Sequence, residues 1–94
     1  MNKITLTFDR TLSHIAGNLY GQEVYKKQLE NKISIDQVNE IWFPDQIKGV
    51  SISFIQGMIK DLVNMYGKDT VLRKISLKSN NAYLQKRLER NIRF

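Results

Sequence analysis

Apolar and polar residues alternate from Lys3 to Phe8, with Ile4, Leu6 and Phe8 on one side and Lys3, Thr5 and Thr7 on the other. A period of two predicts a half-buried strand. Thr11 to Tyr20 has no clear periodicity, and Gly17 and Gly21 interrupt it. Gln22 to Lys32 lacks Gly and Pro and is rich in Glu, Lys, Gln and Leu, which predicts a helix over about Gly21 to Asn31. Val38 to Phe43 gathers Val, Ile, Trp and Phe and stops at Pro44, the only proline. A proline cannot donate to a ladder, so it marks the end of a second strand.

Asp45 to Gly49 reads as a polar turn, after which Val50, Ile52 and Phe54 lead into the strongest periodicity in the chain. Phe54, Ile55, Met58, Ile59, Leu62, Val63 and Tyr66 recur every three or four residues, a wide apolar stripe on a helix that ends at Gly67. Thr70 to Leu77 carries Val71, Leu72, Ile75 and Leu77 and predicts a third strand, although Arg73 and Lys74 break its alternation. Ser79, Asn80 and Asn81 are cap-type residues, and Leu84, Leu88 and Ile92 follow on one face of a last helix. No sequence segment repeats. The order β-α-β-α-β-α predicts an α/β fold, a small mixed or parallel sheet of three to four strands with helices packed on it.

With 94 residues there is room for one core, so residues 1–94 are expected to form a single domain. An apolar fraction of 41% and a charged fraction of 26% fit a folded chain rather than a disordered one. Cysteine is absent, which excludes a disulfide framework and thiolate metal sites. No apolar h-region opens the chain and no membrane-length apolar run occurs, so a cytoplasmic location with no membrane contact is expected.

Charge changes the picture more. The net charge is +6, yet Met1 to Ile47 holds five basic and six acidic residues, and Lys48 to Phe94 holds ten and three. The basic character belongs to the carboxyl-terminal half, where it can attract phosphate backbones or an acidic protein surface. Lys86, Arg90 and Arg93 fall near one another by helical spacing, and Arg73, Lys74 and Lys78 can add to them. These residues, Lys78 included, are the candidate nucleic-acid contacts. Tyr83 and Phe94 are aromatic side chains able to stack on bases. The opposing reading is an ordinary solvated face in which Glu89 pairs with Arg93 across one helical turn.

Catalytic chemistry finds little support. His14 is the only histidine, so no histidine metal cluster can form, and a solvated or capping imidazole near Gly17 is its plain reading. The acidic residues show no metal-ligand spacing and no acid/base pair, and no Gly-rich phosphate loop occurs. Neither an enzyme nor a cofactor is expected.

The stretch with most chemical content is Gly49-Val50-Ser51-Ile52-Ser53-Phe54, which places two hydroxyls where a strand meets a helix. One serine can cap the free amides of the first turn. A phosphate on an exposed serine there would sit at the positive end of the helix and add about two negative charges. Ser53, Ser51, Phe54 and Lys48 are therefore the candidate phosphorylation or partner-binding residues.

From about Gly21 to Ile92 the chain resembles the STAS-like domains, relatives of the STAS domains of anti-sigma-factor antagonists. The residues that carry the likeness are Gly21-Gln22-Glu23-Val24 opening a helix, the strand ending at Phe43, Gly49 to Phe54 with its Ser53-Phe54 helix start, and Gly67 to Leu77 leading to Ser79-Asn80-Asn81. The resemblance implies a non-enzymatic regulatory module that binds a signalling protein partner, a histidine-kinase-like ATPase in the antagonists. In those proteins a serine at a helix start, two residues after an aspartate, is phosphorylated. Ser53 stands in the similar place, with Ser51 where the aspartate would be. Two other readings stand beside it: a nucleic-acid-binding protein using the basic half, and a small mobile-element protein occluding a host factor. An exposed sheet edge would also allow a homodimer.

Overall fold

In the computed structural model, which describes residues 1–94, the first alternating run forms β1 (Asn2–Thr5), which ends before the expected Phe8, and the Pro44-terminated run forms β3 (Asn39–Trp42). With β5 (Ile75–Lys78) they make a three-stranded parallel sheet in the order β1-β3-β5, with Ile4 beside Ile41 and Ile41 beside Leu77. A separate two-stranded parallel sheet pairs β2 (His14–Ile15) with β4 (Gly49–Val50). The helices are α1 (Asn18–Val24), α2 (Ile52–Tyr66), α3 (Lys68–Lys74) and α4 (Ala82–Asn91). The α/β class and the helix-separated order of the main strands agree with the sequence reading, and the sheet is parallel.

Three elements differ from expectation. The first helix begins at Asn18, earlier than Gly21, because Gly17 takes φ 102° and turns the chain directly out of β2. Such a conformation carries no steric cost only for glycine. The helix then continues through a π-helical turn, Tyr25–Leu29, in which Glu30 N donates to Tyr25 O at 2.8 Å. That wider turn buries both Tyr25 and Leu29 while Lys26, Lys27 and Glu30 stay outside. Burial, reinforced by the fields of Glu30 and Asp61, raises the Tyr25 phenol above its ordinary pKa.

The second difference corrects the Thr70 to Leu77 strand. Its first half is α3, and only Ile75 onward is extended. Gly67, at φ 86°, ends α2 and starts the new helix, with Asp69 in its first turn and Arg73 and Lys74 in its last. Those charges favour the two ends of a helix dipole. The residues that broke the strand alternation are thus the carboxyl-terminal turn of a helix.

The third is a structural repeat without an evident sequence repeat. Strand, short strand and helix recur as β1-β2-α1 and β3-β4-α2, stacked so that Ile4 lies beside Ile41 and Ile15 beside Val50. Gly21 and Gly57 occupy matching places in the two helices, where α1 and α2 approach backbone to backbone. A Cβ on Gly21 would lie 2.7 Å from Met58 N, and one on Gly57 would lie 2.8 Å from the Asn18 carbonyl carbon. Only glycine at both positions permits this crossing.

One cluster of 21 buried apolar residues draws on every layer, from Ile4 and Leu6 through Phe54 and Met58 to Leu84 and Leu88. Ile4, Ile41, Ile75 and Leu77 of the strands, with Leu6 and Phe43 just past the ends of β1 and β3, are all buried in it. The opposite sheet face carries Lys3, Thr5, Glu40, Trp42, Ser76 and Lys78, which are exposed or half-buried. Asn39 is fully buried and ties the start of β3 to three segments. Its Nδ2 donates to Ser34 O, Gln37 O and Lys74 O at 2.8, 2.9 and 3.2 Å, and its Oδ1 accepts from Ser34 N and Asn2 Nδ2. No helix is long and apolar enough to cross a membrane.

Candidate functional site

The strand-to-helix junction is held by the small sheet. Lys48 N and Gly49 N donate to Ser13 O at 2.6 and 3.3 Å, and Ser51 N donates to Ile15 O at 3.0 Å. The chain therefore leaves β4 in a fixed direction, and Ser51, at φ −73° and ψ 155°, becomes the cap of α2. Its Oγ accepts from Phe54 N at 3.1 Å, which satisfies an amide that the helix itself cannot. Ser53 is exposed, and its Oγ lies 3.0 Å from Ser51 Oγ. The two hydroxyls thus divide the roles: Ser51 is committed to the backbone, and Ser53 faces solvent.

A shallow cleft of about 430 Å³ opens beside this junction, lined by His14, Lys48, Gly49, Ser51, Tyr83 and Arg87 among others. The His14 ring lies over Gly49 so closely that a Cβ there would be 2.6 Å from its Cδ2. Its Nδ1 sits 3.1 Å from Ser13 Oγ. Arg87 donates to Tyr83 Oη at 3.3 Å and its guanidinium lies 5.6 Å from the centre of that ring. Two cations and an imidazole thus surround the capped end of α2, whose own dipole adds positive potential.

Of the four residues assigned to the junction, Lys48 and Ser51 line the cleft and Ser53 adjoins it. Phe54 does not contact solvent and is corrected to a core residue. It is completely buried in an aromatic cluster with Tyr20, Phe8 and Phe43, at centroid distances of 5.5, 6.3 and 6.5 Å. A helix whose first turn carries an aromatic at that position must aim it inward, so Phe54 orients the junction without touching a partner. The reading of Ser51 to Phe54 missed His14, Tyr83 and Arg87. The spacing of Tyr83 and Arg87 shows that they share a face of α4, but nothing local tells that this face meets β4.

The basic candidates gather in a separate groove on the neighbouring flank of α4. Lys78, Lys86, Arg90 and Arg93, joined by Arg73, line a groove of about 820 Å³ between β5 and α4. Lys74 is not part of it. The expected Glu89–Arg93 pair is absent: the three ion pairs of the protein are Lys26 with Glu30 and with Asp61, and Lys27 with Glu23. Glu89 instead accepts from Gln85 Nε2 at 2.9 Å. No three His, Cys, Asp or Glu side chains come together in a way that could hold a metal ion.

No protein-family model, no curated protein and no solved structure matches this chain.

Proposed function

We propose that this chain is a non-enzymatic, STAS-like regulatory module that binds a signalling protein partner at the β4–α2 junction and is switched by a phosphate on Ser53. The observation that carries the reading is the division between the two serines. Ser51 holds the cap, so Ser53 is free to be modified without undoing the helix start. A phosphoserine in the first turn of a 15-residue helix would be favoured by the helix dipole, beside a cleft that already presents Lys48 and Arg87. Adding about two negative charges there would cancel the charge of Lys48 and Arg87 on the surface that a partner meets.

Ser51 stands where the STAS antagonists carry an aspartate. Serine and aspartate are both strong helix caps, since each offers a side-chain oxygen to the N3 amide. The substitution keeps the geometry that presents Ser53 while removing one negative charge from the site. By the STAS resemblance the partner is a histidine-kinase-like ATPase.

The test is partner affinity across Ser53→Ala and Ser53→Asp. The reading expects Ala to bind like the parent and Asp to bind at least about tenfold more weakly, the size of one lost charge-assisted contact. If both variants bind like the parent, Ser53 is not a switch.

A further inference from the structure

We infer that the groove between β5 and α4 binds single-stranded nucleic acid through its phosphodiester backbone. The groove and the junction cleft flank the exposed stripe of α4 and share no lining residue, so the inference does not rest on the regulatory reading.

Five basic side chains, Arg73, Lys78, Lys86, Arg90 and Arg93, face the groove against one carboxylate, Glu89. None of the five has an acidic partner within ion-pair distance, whereas the basic residues of the π turn do. Only Lys26 and Lys27 of the fifteen basic residues form ion pairs, so what sets the groove apart is the convergence of five cations on one concavity. Here Glu89, the one carboxylate within reach, is held by Gln85 instead. The result is a concave surface of one sign, which concentrates polyanions. Its floor is aliphatic, formed by Val38, Leu72, Ile75 and Ile92, against which sugars and bases can rest.

The groove also runs along the free edge of the main sheet, so an added peptide strand is the competing occupant. The edge itself argues against it. Ser76 and Lys78 direct their backbone groups toward β3, as the bond from Phe43 N to Lys78 O shows, which leaves Ile75, Leu77 and Ser79 facing outward. Of these, Ile75 N is bonded to Val71 O. The Gln85 side chain takes Leu77 O at 3.0 Å and Ser79 N at 2.7 Å. Only Leu77 N and Ile75 O remain, too few for a ladder. A phosphodiester chain needs no ladder and uses the charges alone. A flexible single strand can follow such a cleft along its length, whereas a rigid duplex meets it with fewer phosphates at a time. On the open sheet face, Trp42 lies beside Lys78 in register and beneath Lys3 Nζ, 4.8 Å from its ring centre, and donates from Nε1 to Glu40 at 3.1 Å, so the one-signed surface is confined to the groove.

The experiment is fluorescence anisotropy of the intact chain with fluorescein-labelled 12-mers of oligo(U) and oligo(dT), a 12-mer duplex and a poly-glutamate peptide. With about three phosphates neutralised, the logarithm of affinity should fall with a slope of about −2 against the logarithm of salt, roughly a 15- to 20-fold loss between about 50 and 200 mM. The triple variant Lys86→Ala, Arg90→Ala, Arg93→Ala should lose tenfold or more. The charge-matched triple Lys26→Ala, Lys27→Ala, Lys60→Ala should lose less than threefold. Equal losses in the two triples, no binding at 50 mM salt, or tighter binding of the duplex or the peptide than of the single strands would each overturn the inference. Comparable binding of oligo(U) and oligo(dT) supports backbone recognition, and a tenfold preference for either would refute it.

Discussion

Replacing Gly57 with alanine tests the contact that joins the two strand–helix units. At an exposed position in the middle of a helix this change stabilises by about 1 kcal/mol, because alanine loses less backbone freedom on folding. At Gly57 the added methyl would lie 2.8 Å from the Asn18 carbonyl carbon and closer still to its oxygen. The obstacle is backbone of α1, not the end of a flexible side chain, so the two helices must part by about 1 Å at a crossing flanked by buried Val24, Phe54 and Met58. Overpacking of this kind costs about 3 kcal/mol, and the propensity gain offsets about 1, leaving a loss of about 2 kcal/mol. In urea, with a slope near 1 kcal/mol per molar for a domain of this size, the midpoint should drop by about 2 M. Gly21→Ala should behave alike, with Met58 N as the obstacle. Once one methyl has parted the helices the second costs less, so the double variant should be less destabilised than the two singles added together, by about 0.5 kcal/mol or more. An unchanged or raised midpoint for Gly57→Ala would refute the crossing geometry.

Asn39→Ala should cost about 3 kcal/mol by urea unfolding, since it strands the carbonyls of Ser34, Gln37 and Lys74 beneath the sheet; a loss under about 1 would mean that water replaces the amide. Ser51→Ala should lose about 1 kcal/mol by the same measurement while Ser53→Ala stays within about 0.5, because only Ser51 caps α2. For Tyr25, whose phenol pKa is raised in the folded state, the buried neutral form contributes stability that is fully present below the ordinary value of 10.0 and is lost as pH climbs through the higher folded value. Unfolding midpoints followed from pH 8 to pH 11 should therefore fall more steeply for the parent than for Tyr25→Phe, and parallel curves would exclude Tyr25 as the source.

How far the fold could be read from sequence varied with the length and periodicity of each element. The α2 stripe spans four turns and ends at a glycine, so local rules and tertiary packing agree along it. β2 and β4 have two residues each, too few for any period, and exist because the chain on either side is held in place. In α3 a seven-residue helix with one buried side chain, Val71, abuts a strand with two, so the apolar residues of both read as one strand-like segment whose alternation fails only at Arg73 and Lys74. Gly21 was legible as a helix residue but not as a contact, since the close approach depends on Gly57 in a different helix.

The same division holds for the surfaces. The cap and the exposed hydroxyl of α2 follow from local chemistry, whereas the cleft joins His14, Lys48 and Arg87 from three distant segments. In the groove, Lys86, Arg90 and Arg93 are related by helical spacing, while Arg73 and Lys78 join them only through the placement of β5. Sequence spacing allowed a Glu89–Arg93 pair, and Gln85, one turn earlier on α4 and bonded to Leu77 O of β5, holds the Glu89 carboxylate instead.

The most direct measurement of the regulatory reading is quantitative mass spectrometry of proteins that co-purify with the tagged chain from its own host, after nuclease treatment and at near-physiological salt. The parent, Ser53→Asp, and the Lys86/Arg90/Arg93 alanine triple are compared in parallel. The account expects a stoichiometric protein partner that is retained by the parent and by the triple and lost with Ser53→Asp. A partner retained by all three, or lost with the triple and kept with Ser53→Asp, would contradict a Ser53-centred interface and place protein recognition elsewhere on the surface.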